Sequence, residues 1–155
     1  ETGAGGTAPT LVKELKERNH LLWDSLGEFL ALSASLEHLA FFRQKKEAKE
    51  LSDALNRAVA SYLDENKTPN ATLDTRESHF YLALFWAREM AKSGGVLSVI
   101  FENLADELEK NESKILKQIR EKDGASVEFG GYYLPDEARA NAVMRPSEIL
   151  NQIIG

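Results

Sequence analysis

The sequence predicts a mainly helical protein, an array of five to six helices with one short strand. Three observations support this fold class. Apolar residues recur at helical spacing along most of the chain. Glycine and proline separate the segments that have this spacing. Only residues 126–135 have the pattern of a strand and turn. A chain of 155 residues, 43% of them hydrophobic, can bury one core. We therefore expect residues 1–155 to form a single unit.

The chain opens with a glycine-rich segment, residues 1–9. Gly3, Gly5 and Gly6 can bring the backbone close to a ligand, and Pro9 suits the first turn of a helix that would run to about residue 19. The free N–H groups of such a loop and the positive end of the helix dipole both favour phosphate. We expect a nucleotide-binding loop at residues 1–9, and a chain that opens inside such a loop to be the tail of a larger protein.

Three further helices are predicted between residues 25 and 92. In the first of them Ser25 and Glu28 have the spacing of a capping box. Its apolar stripe consists of Leu26, Phe29, Leu30, Leu36 and Leu39. The next helix covers about 45–63. After a loop at 64–74, the helix at 76–92 is so densely apolar that we expect it to be the central buried one.

The last third of the chain predicts one long helix, one strand and one short helix. The long helix spans about 96–122, so that the predicted helices occupy residues 10–122 as a group. Residues 126–135 alternate and then turn at a double glycine, as an edge strand would. A terminal helix covers 146–153. Because a lone strand is rarely stable, we expect it to pair with strands outside this chain.

Charge and composition exclude several classes of function. A formal net charge of −6 argues against a nucleic-acid-binding surface, and a chain with no cysteine has neither disulfides nor thiolate metal sites. The longest apolar run, residues 80–87, is far shorter than the roughly 20 residues that a bilayer requires. We expect no membrane and no nucleic-acid partner, and a cytoplasmic location.

The opening loop also fits a dinucleotide fingerprint. Residues 3–8 match the pattern G-x-G-x-x-A, and Asp24 follows at about the spacing at which such sites place an acid against the ribose. No strand leads into Gly3, however, and no alternation of strands and helices follows Ser25. A free-standing Rossmann domain is therefore the weaker interpretation, and a phosphate-bearing cofactor against the loop is the stronger one.

No catalytic arrangement is visible elsewhere. His20, His38 and His79 lack the spacing of metal ligands, and His79 is better interpreted as a core histidine than as a catalytic one. The amphipathic helices and the acidic charge leave a second class of function open, a helical interaction or regulatory module. Such a module has no need of the glycine-rich opening.

Several segments together resemble the C-terminal end of monomeric-type isocitrate dehydrogenase. They occur in the family's order and span nearly the whole chain; they are residues 1–9, 23–32, 35–39, 78–84, 111–112, 114–115, 130–133 and 144–147. The opening is also similar to the Gly-Thr-Ala-Pro cofactor loop of the wider β-decarboxylating dehydrogenases. The resemblance implies that the helices belong to a larger α/β fold of the isocitrate/isopropylmalate dehydrogenase type.

The resemblance also implies an activity. Enzymes of this family oxidise and decarboxylate isocitrate to 2-oxoglutarate with a nicotinamide nucleotide, and a Mg²⁺ or Mn²⁺ ion polarises the substrate. The metal-binding and catalytic residues of the family lie upstream of Glu1. This chain alone is therefore expected to be inactive, the parent enzyme to be monomeric, and the isolated chain to self-associate through core surface that the missing part would cover.

The resemblance places the cofactor site on eight residues. They are Gly5, Gly6, Thr7, Ala8, Leu11, Leu22, Asp24 and Ala71. Leu11, Leu22 and Ala71 stand where the NADP-using pattern carries cations that hold the ribose 2′-phosphate. Because those cations are missing, we expect NAD as the cofactor, with NADP as the alternative.

Overall fold

The computed structural model describes residue 17 and the ranges 25–65, 76–122, 125–126, 128, 130–131 and 134–155. Six helices lie in the described part of the chain: α1 (Ser25–Arg43), α2 (Lys46–Glu65), α3 (Arg76–Ala91), α4 (Ser98–Arg120), α5 (Glu137–Met144) and α6 (Glu148–Ile154). None of these helices is long and apolar enough to cross a membrane.

The first four helices pack in sequence order as an antiparallel array. Helix α2 packs on α1 and α3, α3 packs on α4, and α1 also reaches α3. Two contacts fix the direction of α4 against α3, since Arg88 meets Glu109 and Glu77 meets Arg120. Only two residues connect α1 to α2, so these helices also run in opposite directions. Helix α6 packs on α4. The beginnings of α1 and α3 therefore lie at the same end of the array.

Helix α3 is the centre of the core, as the sequence predicts. Two clusters of buried side chains share it. The larger cluster contains Phe80, Tyr81, Leu84, Ala87, Ala105, Leu108, Ile115, Leu116 and Ile119. The smaller one contains Phe29, Leu55, Val59 and Leu82. Consecutive residues of α3 enter both clusters because α2 and α4 cover opposite sides of it, so the helix is apolar on every side.

Helix α1 buries a narrower stripe than its sequence predicts. Phe29 is buried and Leu36 is partly buried, but Leu30 and Leu39 are exposed. The side chain of Leu26 is outside the described residues. The difference arises because, among the described helices, α1 lies at the edge of the array and packs only on α2 and α3.

The strand that the sequence predicts within residues 126–135, before a turn, is not found among the residues that the structure describes there. Residues 126, 128, 130, 131, 134 and 135 are not in a strand. A strand needs a partner for its backbone N–H and C=O groups, and the described part of the chain supplies none. Instead, a helix that the sequence interpretation missed begins soon after. It begins at Glu137 and is capped by Asp136, whose carboxylate accepts a 2.9 Å hydrogen bond from the Arg139 N–H.

Candidate functional site

The predicted cofactor residues all fall on segments outside the described residues. These are Gly5, Gly6, Thr7, Ala8, Leu11, Leu22, Asp24 and Ala71. The structure does describe the helices into which those segments lead. Helix α1 begins one residue after Asp24, and α3 begins five residues after Ala71.

The first turns of these two helices meet. His79 Nδ1 on α3 lies 3.7 Å from Glu28 Oε2 on α1. The imidazole also packs edge-on against the Phe29 ring, with the ring centroids 5.0 Å apart. The two segments that carry the predicted cofactor residues therefore join the fold at neighbouring points, although 47 positions separate Asp24 from Ala71 in the chain.

The protonation of His79 is set by its surroundings. Burial lowers the pKa of His79 below its ordinary 6.5, because the packed side chains disfavour the charged imidazolium. The imidazole is therefore neutral at neutral pH, and its contact with the half-exposed Glu28 carboxylate is not a full ion pair. With 36% of its side chain exposed, His79 lies at the edge of the core, whereas the sequence predicts a histidine inside it.

A polar contact holds α1 in place further along its length. The buried Ser33 hydroxyl donates a 2.8 Å hydrogen bond to Asn56 Oδ1, and the Ser52 hydroxyl donates a 3.1 Å bond to the Ser33 carbonyl. The two serine oxygens lie 3.2 Å apart. Small side chains at these positions let α1 and α2 approach closely, and their hydroxyl groups find partners inside the interface. The position of the α1 first turn is thereby fixed by α2 as well as by α3.

The beginning of α3 is anchored by Arg76. Its guanidinium is buried, and it donates to the carbonyls of Val143 at 2.8 Å and of Lys122 at 3.2 Å. These carbonyls lie at the ends of α5 and α4, where the negative ends of the helix dipoles favour a cation. The sequence interpretation gave Arg76 no role, and its only signal was a cation at the first position of the most apolar helix.

Two more side-chain pairs join α3 to α4. Arg120 binds Glu77 through two hydrogen bonds of 2.7 and 2.9 Å. The Tyr81 hydroxyl donates a 2.9 Å bond to Glu112 Oε1. Burial, together with the bond to Glu112 and its charge, raises the pKa of Tyr81 to about 12. Tyr81 therefore stays protonated at neutral pH and serves as a hydrogen-bond donor.

The described residues show no metal centre. Among them, no group of three or more His, Cys, Asp or Glu side chains could hold a metal ion. The expectation that Mg²⁺ or Mn²⁺ is bound by residues upstream of this chain stays a prediction.

Comparison with known proteins identifies the family. A sequence model of the family described as "Monomeric isocitrate dehydrogenase" matches residues 1–155. The chain belongs to the monomeric isocitrate dehydrogenase family. The resemblance drawn from the ordered segments is thereby confirmed, and so is a mainly helical fragment of a larger fold as the fold class.

Curated members of the monomeric isocitrate dehydrogenase family match almost the whole chain. "Isocitrate dehydrogenase [NADP] 2" of Psychrobacter sp. is 51% identical over 159 residues, which covers 99% of this chain and 22% of that protein. The proteins of the same name from Colwellia maris and Mycobacterium tuberculosis are 45% and 47% identical, and the match covers 21% of each. The chain thus spans about a fifth of the length of these relatives.

Proposed function

We propose that this chain is the cofactor-binding part of an isocitrate dehydrogenase. The full-length enzyme oxidises isocitrate, releases carbon dioxide and forms 2-oxoglutarate while it reduces a nicotinamide nucleotide. The observation that carries this proposal is the family match across all 155 residues, together with relatives that are named isocitrate dehydrogenases. It favours the enzyme over the helical interaction module.

The positions at which the predicted cofactor segments attach to the helices support a cofactor-binding role for this part of the enzyme. One segment ends at α1 and the other at α3, and the contact between Glu28 and His79 joins the two helices at that end. Gly5, Gly6, Thr7 and Ala8 would present backbone N–H groups to the nucleotide phosphates. The scaffold would keep the two segments on either side of one adenosine.

Two observations bear on the choice between NAD and NADP, and they favour different nucleotides. The relatives have NADP in their names, and sequence similarity to them favours NADP. The side chains of this chain favour NAD, because Leu11, Leu22 and Ala71 cannot form charge-assisted hydrogen bonds with a 2′-phosphate. Asp24 is suited to accept a bond from the free 2′-hydroxyl of NAD and would repel a phosphate. We therefore propose NAD as the cofactor.

The chemistry itself is assigned to the remainder of the enzyme. A divalent metal there would polarise the substrate and stabilise the enolate that decarboxylation leaves. The residues of this chain would bind and orient the nucleotide and would not move protons. On this proposal the 155-residue chain alone has no dehydrogenase activity.

Steady-state kinetics of the full-length enzyme test the proposal. With isocitrate and Mg²⁺ or Mn²⁺, we expect reduction of NAD, and kcat/KM for NAD should exceed that for NADP. Failure to oxidise isocitrate with either nucleotide would refute the dehydrogenase assignment. A higher kcat/KM for NADP would leave the enzyme assignment intact and refute only the choice of NAD.

A further inference from the structure

The outward side of α1 has the composition of an interior surface. Five large apolar side chains on this helix are exposed: Leu30, Leu32, Leu39, Phe41 and Phe42. We refer to these five residues as the outer face of α1. Phe41 is 77% exposed and Phe42 is 65% exposed, and their rings pack edge-on, with the centroids 5.1 Å apart. No other described helix exposes as many large apolar side chains.

The outer face follows the geometry of the helix. Leu32, Leu39 and Phe42 are seven and three residues apart, so they share one flank of the buried stripe. Leu30 and Phe41 are eleven residues apart, about three turns, and share the other flank. Apolar side chains therefore border the buried stripe on both sides, which is the pattern of a helix enclosed by other elements.

The neighbouring helix α2 shows the charge content of a solvent-exposed helix in this chain. Helix α2 carries eight charged residues among 20, whereas α1 carries only Glu28, Glu37 and Arg43 among 19. Both helices form part of the same array and have similar lengths. Compared with this neighbour of similar length, α1 is short of charge, and this marks a surface that water does not normally cover.

The occupant of this surface follows from the length of the relatives and from the description of the family. The matched region is only 22% of the Psychrobacter protein, so most of that chain lies outside it. The family is described as monomeric, which disfavours a second copy of the enzyme as the occupant. We propose that the outer face of α1 is an intramolecular interface, covered by the part of the same full-length enzyme that lies outside these 155 residues.

The chemistry of the covering surface can be specified. Next to Phe41, the turn between α1 and α2 forms a cleft of about 390 Å³, which Lys45, Lys46 and Lys49 line together with Glu37. Lys49 is already paired with Asp53. The covering surface should therefore be apolar where it meets the two flanks and acidic where it approaches Lys45 and Lys46. The isolated chain, in which that cover is missing, should self-associate through the same face.

This inference rests on the proposal that the chain is part of a larger enzyme, and thiol labelling tests it without reference to turnover. The 155 residues contain no cysteine, so a single introduced thiol is the only one in this region. Leu39→Cys and Phe42→Cys in the full-length enzyme report on the outer face. Lys110→Cys is the control, because Lys110 is 68% exposed on the polar side of α4.

In the native full-length enzyme we expect both outer-face thiols to react with a maleimide at least about 100-fold more slowly than in urea, because a buried thiol reacts only when the structure opens. The control thiol should react at nearly its unfolded rate. Peptide mapping locates the label, and circular dichroism confirms that each variant is folded.

Two results would overturn the proposal. The first is that both outer-face thiols react as fast as Lys110→Cys in the folded enzyme, which would show an open surface. The second is protection that disappears on dilution as a dimer dissociates, which would show a second copy as the cover. Neither result depends on whether the enzyme oxidises isocitrate, so failure here is distinct from failure of the proposed function.

Discussion

His79 Nδ1 lies 3.7 Å from Glu28 Oε2, and this contact joins the first turn of α3 to the first turn of α1. The two residues are 51 positions apart in the chain. Each stands within a turn or so of a segment that carries predicted cofactor residues. The pair therefore lies where the predicted nucleotide site meets the helical array, and its protonation affects the stability of that junction.

The lowered pKa of His79 predicts a loss of stability in mild acid. Its folded pKa lies below the unfolded value of 6.5, so the unfolded state takes up a proton first as the pH falls. The stability that a neutral His79 contributes should be complete above about pH 6.5 and should decrease below it. Urea unfolding of the chain between pH 7.5 and 5.5 measures this decrease.

His79→Gln provides the comparison, because glutamine can still form a hydrogen bond but does not titrate in this range. We expect a smaller decrease in unfolding free energy between the two pH values for this variant. An equal decrease in the variant and the unsubstituted chain would show that another group is responsible.

Adding cations to the predicted cofactor site should change the choice of nucleotide. Leu11→His, Leu22→Arg and Ala71→Arg in the full-length enzyme would each offer a 2′-phosphate a charge-assisted hydrogen bond of about 1.5–3 kcal/mol. Each should therefore raise the ratio of kcat/KM for NADP to that for NAD by about 10- to 100-fold.

The matched control is Val96→Arg, which adds the same charge at a position that is 89% exposed on another part of the chain. It should leave the ratio unchanged. If the control alters the ratio as much as the three site variants do, general electrostatics and not local recognition would explain the effect.

Tyr81 on α3 should ionise at a higher pH than an ordinary tyrosine. Tyr81 has a pKa of about 12, mainly because it is buried and also because it donates to Glu112, so one of the four tyrosines should ionise well above pH 10. Stability should be lost as the pH rises from about 10, where an unfolded tyrosine ionises, toward 12. Absorbance at the tyrosinate band measures the ionisation directly.

Tyr81→Phe removes this late ionisation and leaves Glu112 without its donor. We expect a loss of about 0.5–1.5 kcal/mol in unfolding free energy at pH 7, since water can partly replace the tyrosine hydroxyl at a carboxylate of intermediate burial. The tyrosinate titration of the variant should lack the component near pH 12. A full late component in the variant would assign it to a different tyrosine.

The smaller core cluster predicts that shortening one of its side chains leaves a cavity and strongly lowers the unfolding free energy. Leu82 is completely buried and packs with Phe29, Leu55 and Val59, so Leu82→Ala should lower the unfolding free energy by about 2–5 kcal/mol. Leu134→Ala removes the same atoms from a side chain that is 88% exposed and should cost less than about 0.5 kcal/mol. Similar losses for the two variants in chemical denaturation would contradict the packing described for α3.

The sequence predicts the four long helices closely, because each has several turns of apolar spacing and the last three are followed by segments with proline or glycine. The helix at Arg76–Ala91 begins at the predicted residue and is the buried centre. The short helix at Glu137–Met144 escapes prediction, since eight residues give too little periodicity and its cap, Asp136, follows a segment that reads as a strand. Periodicity alone also cannot distinguish a side chain buried within this chain from one such as Leu39, which is apolar but faces outward.

The candidate site is harder to predict than the fold. The pattern of the opening loop and the missing cations can be read from the sequence, but the approach of Glu28 to His79 depends on the tertiary arrangement of three helices. Likewise, nothing near Arg76 in the sequence indicates that its partners are the carbonyls of Lys122 and Val143.

The guanidinium of Arg76 links the C-terminal helices to the central helix α3. It ties the start of the central helix to a carbonyl 67 positions further on. Deleting the last two short helices would remove one acceptor of this buried guanidinium, three residues from the imidazole beside Glu28. Damage at the carboxyl terminus would thus weaken the support of the proposed cofactor segments without touching any residue assigned to nucleotide binding.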